Sequence, residues 1–174
     1  MTYSLNTLNA SAAAKSPPRT GAARFGHEIA LVVGLLALVF WLLALVSYSA
    51  QDAAWSTSGA RDVRSVANWA GRFGAWLADG SYFALGFSVW WCVAAGVRAW
   101  LSSLARWMRG GEVVAGAASP LVRRATFWGG LVVLMCSSTA LEWSRLYRFE
   151  TFLPGHAGGV LGYVVGPALS LIHI

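Results

Sequence analysis

Residues 29–46 run for eighteen positions without a charged side chain. Coiled as an α-helix rising about 1.5 Å per residue, that run just crosses a hydrocarbon core of roughly 30 Å. Such a segment hides its backbone polar groups inside the helix and offers lipid nothing but apolar side chains. A cleavable signal has a shorter apolar core followed by a small-residue cleavage site. Here Val46 leads into Ser47-Tyr48-Ser49 with no A-x-A pattern, so the segment reads as a retained membrane helix.

The pattern recurs. Residues 80–97 form a second uncharged run between Asp79 and Arg98, residues 125–141 a third between Arg123-Arg124 and Glu142, and residues 157–174 a fourth with no charge after it. Only 11% of the chain is charged, against about a quarter in an ordinary soluble domain. The expected fold is therefore an all-α integral membrane bundle of about four transmembrane helices, spanning residues 25–174, with the fourth helix truncated. Residues 1–24, rich in Ser, Ala, Thr and Asn around Pro17-Pro18, cannot bury enough apolar surface to offset their ordering entropy and read as a disordered cytoplasmic tail.

Charge sets the orientation. The N-terminal segment and the loop 98–124 carry Lys15, Arg19, Arg24, Arg98, Arg106, Arg109, Arg123 and Arg124 against Glu28 and Glu112. The other two connections balance five arginines with five acids, so the whole net charge of +6 lies on one side. The positive-inside rule places that side in the cytoplasm, where a basic rim also meets anionic lipid head groups. The first partner of the chain is thus the lipid bilayer.

Between the spans, Val63, Val66, Trp69 and Phe73 share a helical stripe, which suggests a short helix lying at the interface. Trp55, Trp69 and Trp76 fit an aromatic belt at head-group level. Trp100, Leu104 and Trp107 interleaved with arginines read as the end of span two or as a surface helix, stopped by Gly110-Gly111. Gly26, Ala30 and Gly34, and again Gly158, Gly162 and Gly166, repeat every four residues. Such ladders let helix backbones approach closely, either between copies of the chain or within it. Pro167 is expected to kink or end the fourth helix.

No catalytic constellation converges. The chain contains no phosphate-binding G-x-x-x-x-G-K-[ST] loop, no H-E-x-x-H and no G-x-S-x-G. Cys92 and Cys136 lie in apolar runs and read as inert buried thiols. His27, His156 and His173 stand in different segments, His156 as a polar group of the turn before span four. Asp79 is the one acid expected close to the bilayer core. An interfacial anchor at the start of span two is one reading of it, and a proton or ion relay the other. The fragment is accordingly expected to be no enzyme, with no catalytic residue, no metal and no cofactor.

Two motifs carry a resemblance. The run Ser47 to Ser56, containing Asp52 and Trp55, is followed by Asn68-x-x-Gly71-x-x-Gly74-Ala75-Trp76-Leu77-Ala78-Asp79, and together they resemble the N-terminal four-helix membrane domain of the FtsK/SpoIIIE DNA translocases. The stretch Leu153-Pro154-Gly155-His156-Ala157-Gly158-Gly159-Val160-Leu161-Gly162 is similar to that family's Gly-Gly lead into its last helix. The resemblance implies a multi-pass protein of the bacterial inner membrane at the division septum, acting in cell division and chromosome segregation. It implies a homo-oligomer that anchors the assembly and contacts division-site membrane proteins. It also implies a motor beyond this chain that uses ATP and Mg to pump double-stranded DNA, so that DNA would be a partner only through that motor. Asp52, Trp55, Asn68, Gly71, Gly74, Trp76 and Asp79 would shape the outer loop and the start of span two, and Gly158, Gly159 and Gly162 would set close packing of span four. A stand-alone small membrane scaffold or a transporter or channel subunit is the alternative. Leu169-Ser170-Leu171-Ile172-His173-Ile174 can be encoded by a codon string that resembles a transposon-end sequencing adaptor, and these six residues are expected not to be native.

Overall fold

The computed structural model describes residues 21–56, 66–109 and 120–170. They form five α-helices: α1 (Gly21–Val46), α2 (Gly71–Leu85), α3 (Val89–Met108), α4 (Pro120–Arg145) and α5 (Gly159–Ser170). Two 3₁₀ segments, Gly86–Ser88 and Tyr147–Phe152, join α2 to α3 and follow α4. No strand occurs among the described residues. Three stretches are long and apolar enough to cross a membrane, Arg24–Val46, Gly71–Met108 and Leu121–Arg145, and Gly159–Leu169 is a shorter apolar helix. The chain is an all-helical membrane domain.

The helix ends differ from the sequence expectation in instructive places. α1 begins at Gly21, so the last four residues of the expected tail are helical; residues 1–20 lie outside the described residues. The expected uninterrupted span 80–97 starts instead at Gly71 and breaks at Gly86. Gly86 takes φ +57°, a conformation that only glycine adopts without strain. A Cβ there would stand 2.6 Å from Glu142 Oε2 and 2.7 Å from Gly158 Cα. The helix therefore turns at the one residue that permits both the backbone bend and the approach of two other elements. The expected interfacial helix through Val66 and Trp69 does not form: residues 66–70 are irregular, held by hydrogen bonds described below, and Val63 lies outside the described residues. α3 continues through Trp100, Leu104 and Trp107 to Met108; Gly110-Gly111 lie outside the described residues. Pro167 is accommodated inside α5, which continues to Ser170; residues 171–174 lie outside the described residues.

α1 and α3 run antiparallel. Trp100 Nε1 donates to the Leu31 carbonyl at 2.8 Å, Gly34 leaves only 3.5 Å between a would-be Cβ and the Trp100 ring, and Leu38 reaches the space over Gly96. Of the two glycines in the first small-residue ladder, Gly34 meets a neighbour, while a Cβ on Gly26 would touch nothing within 4 Å. α2 leans on the end of α1: Trp41 Nε1 donates to Ser81 Oγ at 3.1 Å and Tyr82 Oη to the Leu45 carbonyl at 3.3 Å. The core, built from Ala44, Leu45, Ala78, Tyr82, Val89, Val93 and Leu153, thus sits where α1 ends and α3 begins. Leu36 and Val133 are 63% and 66% exposed. Lipid tails are as apolar as these side chains and press helices together no harder than they solvate them, so a helix face of this kind is at home in a bilayer.

Candidate functional site

Four buried polar side chains gather at the end of the bundle where α1 stops and α5 starts: Asp52, Asn68, Asp79 and Glu142, each less than 5% exposed. A buried carboxylate or amide without hydrogen bonds is strongly destabilising. Each of the four is satisfied, and by backbone or hydroxyl groups from another segment.

Asp52 accepts from the Ala67 and Asn68 amides at 2.8 and 3.0 Å. It thereby closes the chain after α1 onto the chain before α2. Asn68 carries the link inward: its amide donates to the Ala44 carbonyl at 2.9 Å and the Ser47 carbonyl at 3.4 Å, two groups left orphan where α1 ends. Its Oδ1 accepts from the Ala70 amide at 2.9 Å, and its carbonyl accepts from Gly71, which opens α2. Ser47 Oγ adds a bond from the Trp69 amide at 3.0 Å. Gly74 keeps the space this arrangement needs, since a Cβ there would lie 2.6 Å from Asn68 Oδ1 and collide with the Ala70 side chain.

Asp79 lies in the second half of α2 and is 1% exposed, which corrects its reading as an anchor at a helix N-terminus. It holds the loop from below: Ser56 N and Ser56 Oγ donate to its two carboxylate oxygens at 2.9 and 2.7 Å. Trp55 beside it stands edge-on to Phe83, with ring centroids 4.6 Å apart. Trp76, half exposed, lies outside this cluster. Tyr48 packs on Tyr82, centroids 4.9 Å apart, with a buried hydroxyl that has no hydrogen-bond partner among the described residues. Burial, and then the charge of Asp79 acting through space, push the Tyr48 phenol well above its usual range.

Glu142 ties the two halves of the bundle together. From α4 it accepts the Phe87 amide at 2.8 Å and a close hydrogen bond from Ser88 Oγ, and Ser88 Oγ also meets Ser138 Oγ at 2.7 Å. The Phe87 amide is available because Gly86 turns the backbone away from helical pairing. On the other side of the same contact stand Gly158 and Gly159, with φ of +78° and +62°. A Cβ on Gly158 would strike the Thr139 carbonyl, and one on Gly159 would sit 2.6 Å from Ala84 and Leu85 backbone atoms. A Cβ on Gly162 would lie 2.7 Å from the Thr139 carbonyl, and one on Gly166 2.6 Å from the Trp143 ring. The second small-residue ladder therefore packs within the chain. His156 pairs with Glu150 at 3.5 Å and stacks on Tyr163.

Of the ten residues singled out in the sequence, nine belong to this junction, and it also contains Glu142, Gly86, Ser88 and Thr139, which the sequence reading passed over. Glu142 looks like the charge that ends an apolar run. Its signal is Gly86-Phe87-Ser88, a glycine and a hydroxyl in the middle of another apolar run. The carboxylates are occupied as acceptors, which suits a clamp between segments. No group of three or more His, Cys, Asp or Glu side chains comes together as a metal site among the described residues.

Residues 23–172 match the family described as the 4TM region of DNA translocase FtsK/SpoIIIE. The chain is similar to DNA translocase FtsK 2 of Ralstonia nicotianae, 34% identical over 155 residues that cover 88% of this chain and 19% of that one. It is similar to DNA translocase FtsK 1 of Neisseria meningitidis serogroup A, 32% identical over 158 residues, 87% of this chain and 19% of that one. With DNA translocase FtsK of Pseudomonas syringae the identity is 30% over 145 residues, 80% of this chain and 16% of that one. The chain spans about a fifth of the length of the curated relatives it matches. No solved structure matches it.

Proposed function

The chain belongs to the family formed by the 4TM region of FtsK/SpoIIIE DNA translocases, and on that premise we propose that it is the membrane-anchoring and assembly domain of a DNA translocase acting in cell division and chromosome segregation. The match over residues 23–172 is the observation that carries this reading. A clamp built from Asp52, Asn68, Asp79 and Glu142 suits such a part, because an anchor must hold its shape while force is applied elsewhere in the protein. The domain sits in the bacterial inner membrane with its basic end in the cytoplasm, assembles as a homo-oligomer and meets other membrane proteins of the division site. ATP-driven pumping of double-stranded DNA belongs to a motor outside this chain.

Three experiments test the parts of this reading. Alkaline phosphatase fused after Trp55 is expected to be active and after Gly111 inactive; the opposite pattern reverses the orientation. A fluorescent fusion of the chain in dividing cells is expected at the septum, and an even distribution over the envelope removes the division role. Sequencing the genomic locus downstream of the codon for Ala168 is expected to reach a nucleotide-binding loop, and a stop codon there in place of a motor makes the chain a stand-alone scaffold.

A further inference from the structure

α3 and α4 touch at one end and part toward the other. Near the clamp they meet through Cys92 Sγ and Met135 Sδ, 3.6 Å apart, and through Trp91 Nε1, which donates to Ser138 Oγ at 3.2 Å. Toward the basic end an open groove of about 380 Å³ separates them, floored by Ala94, Ala95, Gly130, Leu131 and Leu134. A Cβ added at Gly130 would find nothing within 4 Å. From Trp91 to Arg98 the helix rises about 10 Å, a large part of the roughly 15 Å depth of one leaflet's hydrocarbon.

The mouth of the groove is cationic. Arg98 lies with its guanidinium carbon 5.7 Å from the centroid of Phe127 and has no acidic partner within ion-pair distance among the described residues. Arg123 precedes Phe127 by four residues and Gly130 by seven, which puts it on the α4 face that lines the groove. A second copy meeting this one through the same groove would set Arg98 and Arg123 against their own counterparts. A molecule with an apolar tail and an anionic head has no such conflict.

We infer that this groove holds an acyl chain of a phospholipid whose anionic head group rests on Arg98 and Arg123. The site is more specific than a basic rim in a charged membrane, because one end of the ligand is fixed by shape and the other by charge. The inference rests on the proposed orientation only for which leaflet supplies the lipid; binding in detergent does not depend on it.

The test is native mass spectrometry of the delipidated full chain in detergent, titrated with phosphatidylglycerol or phosphatidylcholine. Phosphatidylglycerol is expected to bind more tightly. Arg98→Gln is expected to weaken it about fivefold while leaving phosphatidylcholine unchanged. Gly130→Leu, which fills the groove, is expected to weaken both lipids. Gly129→Leu, on the same helix outside the groove lining and equally uncrowded, is expected to weaken neither. Melting in the same detergent checks that each variant is folded. Equal binding of the two lipids by the unaltered chain overturns the inference, as does an unchanged preference in folded Arg98→Gln. A change of oligomeric mass in Gly130→Leu with lipid binding intact also overturns it, in favour of a second copy in the groove.

Discussion

The two ends of this bundle are built on opposite rules. At the clamp end, four polar side chains are almost wholly buried, backbones touch through Gly86, Gly158 and Gly159, and charge is hidden in hydrogen bonds that cross between segments. At the basic end, Arg98, Arg106, Arg109, Arg123 and Arg124 are all exposed, and α3, still bonded to α1 through Trp100, stands apart from α4 across an open groove. In lipid there is no hydrophobic drive to press helices together. A unique arrangement then has to come from contacts that lipid cannot imitate, and those are polar bonds and glycine-sized approaches. Buried polar bonds and glycine contacts thus specify the clamp end, while the α3–α4 face of the basic end is left open.

Substitutions can break that comparison. The largest effect is expected from Gly159→Ala, which adds a Cβ against the Ala84 and Leu85 backbone at a positive φ; the loss should reach about 3 kcal/mol or more, read by unfolding in detergent. Glu142→Ala takes the acceptor from the Phe87 amide and leaves Ser88 Oγ with Ser138 alone, Asp52→Ala takes the acceptor from the Ala67 and Asn68 amides, and each should remove about 1–3 kcal/mol. A double-mutant cycle between Asp52 and Glu142, which tie different pairs of segments, should be additive to within about 0.5 kcal/mol; strong coupling would mean that the two ties act as one unit. Val133→Ala, on the exposed face of α4, should change stability by no more than about 0.5 kcal/mol. If it costs as much as Asp52→Ala, the lipid-facing surface is packed and the contrast fails.

The smallest effect is a refinement in pH. The Tyr48 phenol is raised above its ordinary value near 10 by burial first and by Asp79 second. Below that value the phenol is neutral in both folded and unfolded chains, and its contribution is constant. As the pH rises past it, the unfolded chain ionises first and the folded state loses stability. Tyr48→Phe should flatten that alkaline limb and, since the hydroxyl is unpartnered, leave neutral stability almost unchanged. A limb of unchanged steepness in the variant would assign the titration to other groups.

The spans were legible because a membrane helix announces itself locally: residues 29–46 need nothing but their own composition to be recognised. Asp52 and Asn68 were legible as a pattern, yet their partners were not, since Ala67 N and the Ala44 carbonyl are ordinary backbone that no sequence marks. Asp79 and Glu142 show where local reading misleads. A charge at the edge of an apolar run usually flags the water boundary, and both were read that way. Each is in fact drawn inward by a partner, Ser56 at 23 residues and Phe87 at 55 residues along the chain. The break at Gly86 was hidden for the same reason, because a lone glycine in an apolar run has meaning only beside the carboxylate and the Gly158-Gly159 turn that meet it.

The bond between Asp52 and the Ala67 and Asn68 amides acts as a drawstring. It brings two points fifteen residues apart in sequence to contact distance and so closes a neck at the two ends of the intervening segment. Once the neck is sealed, doubling the length of the intervening segment adds only about 0.6 kcal/mol of closure entropy. A change in the length of that segment is therefore expected to leave the register of the helices beneath it unchanged.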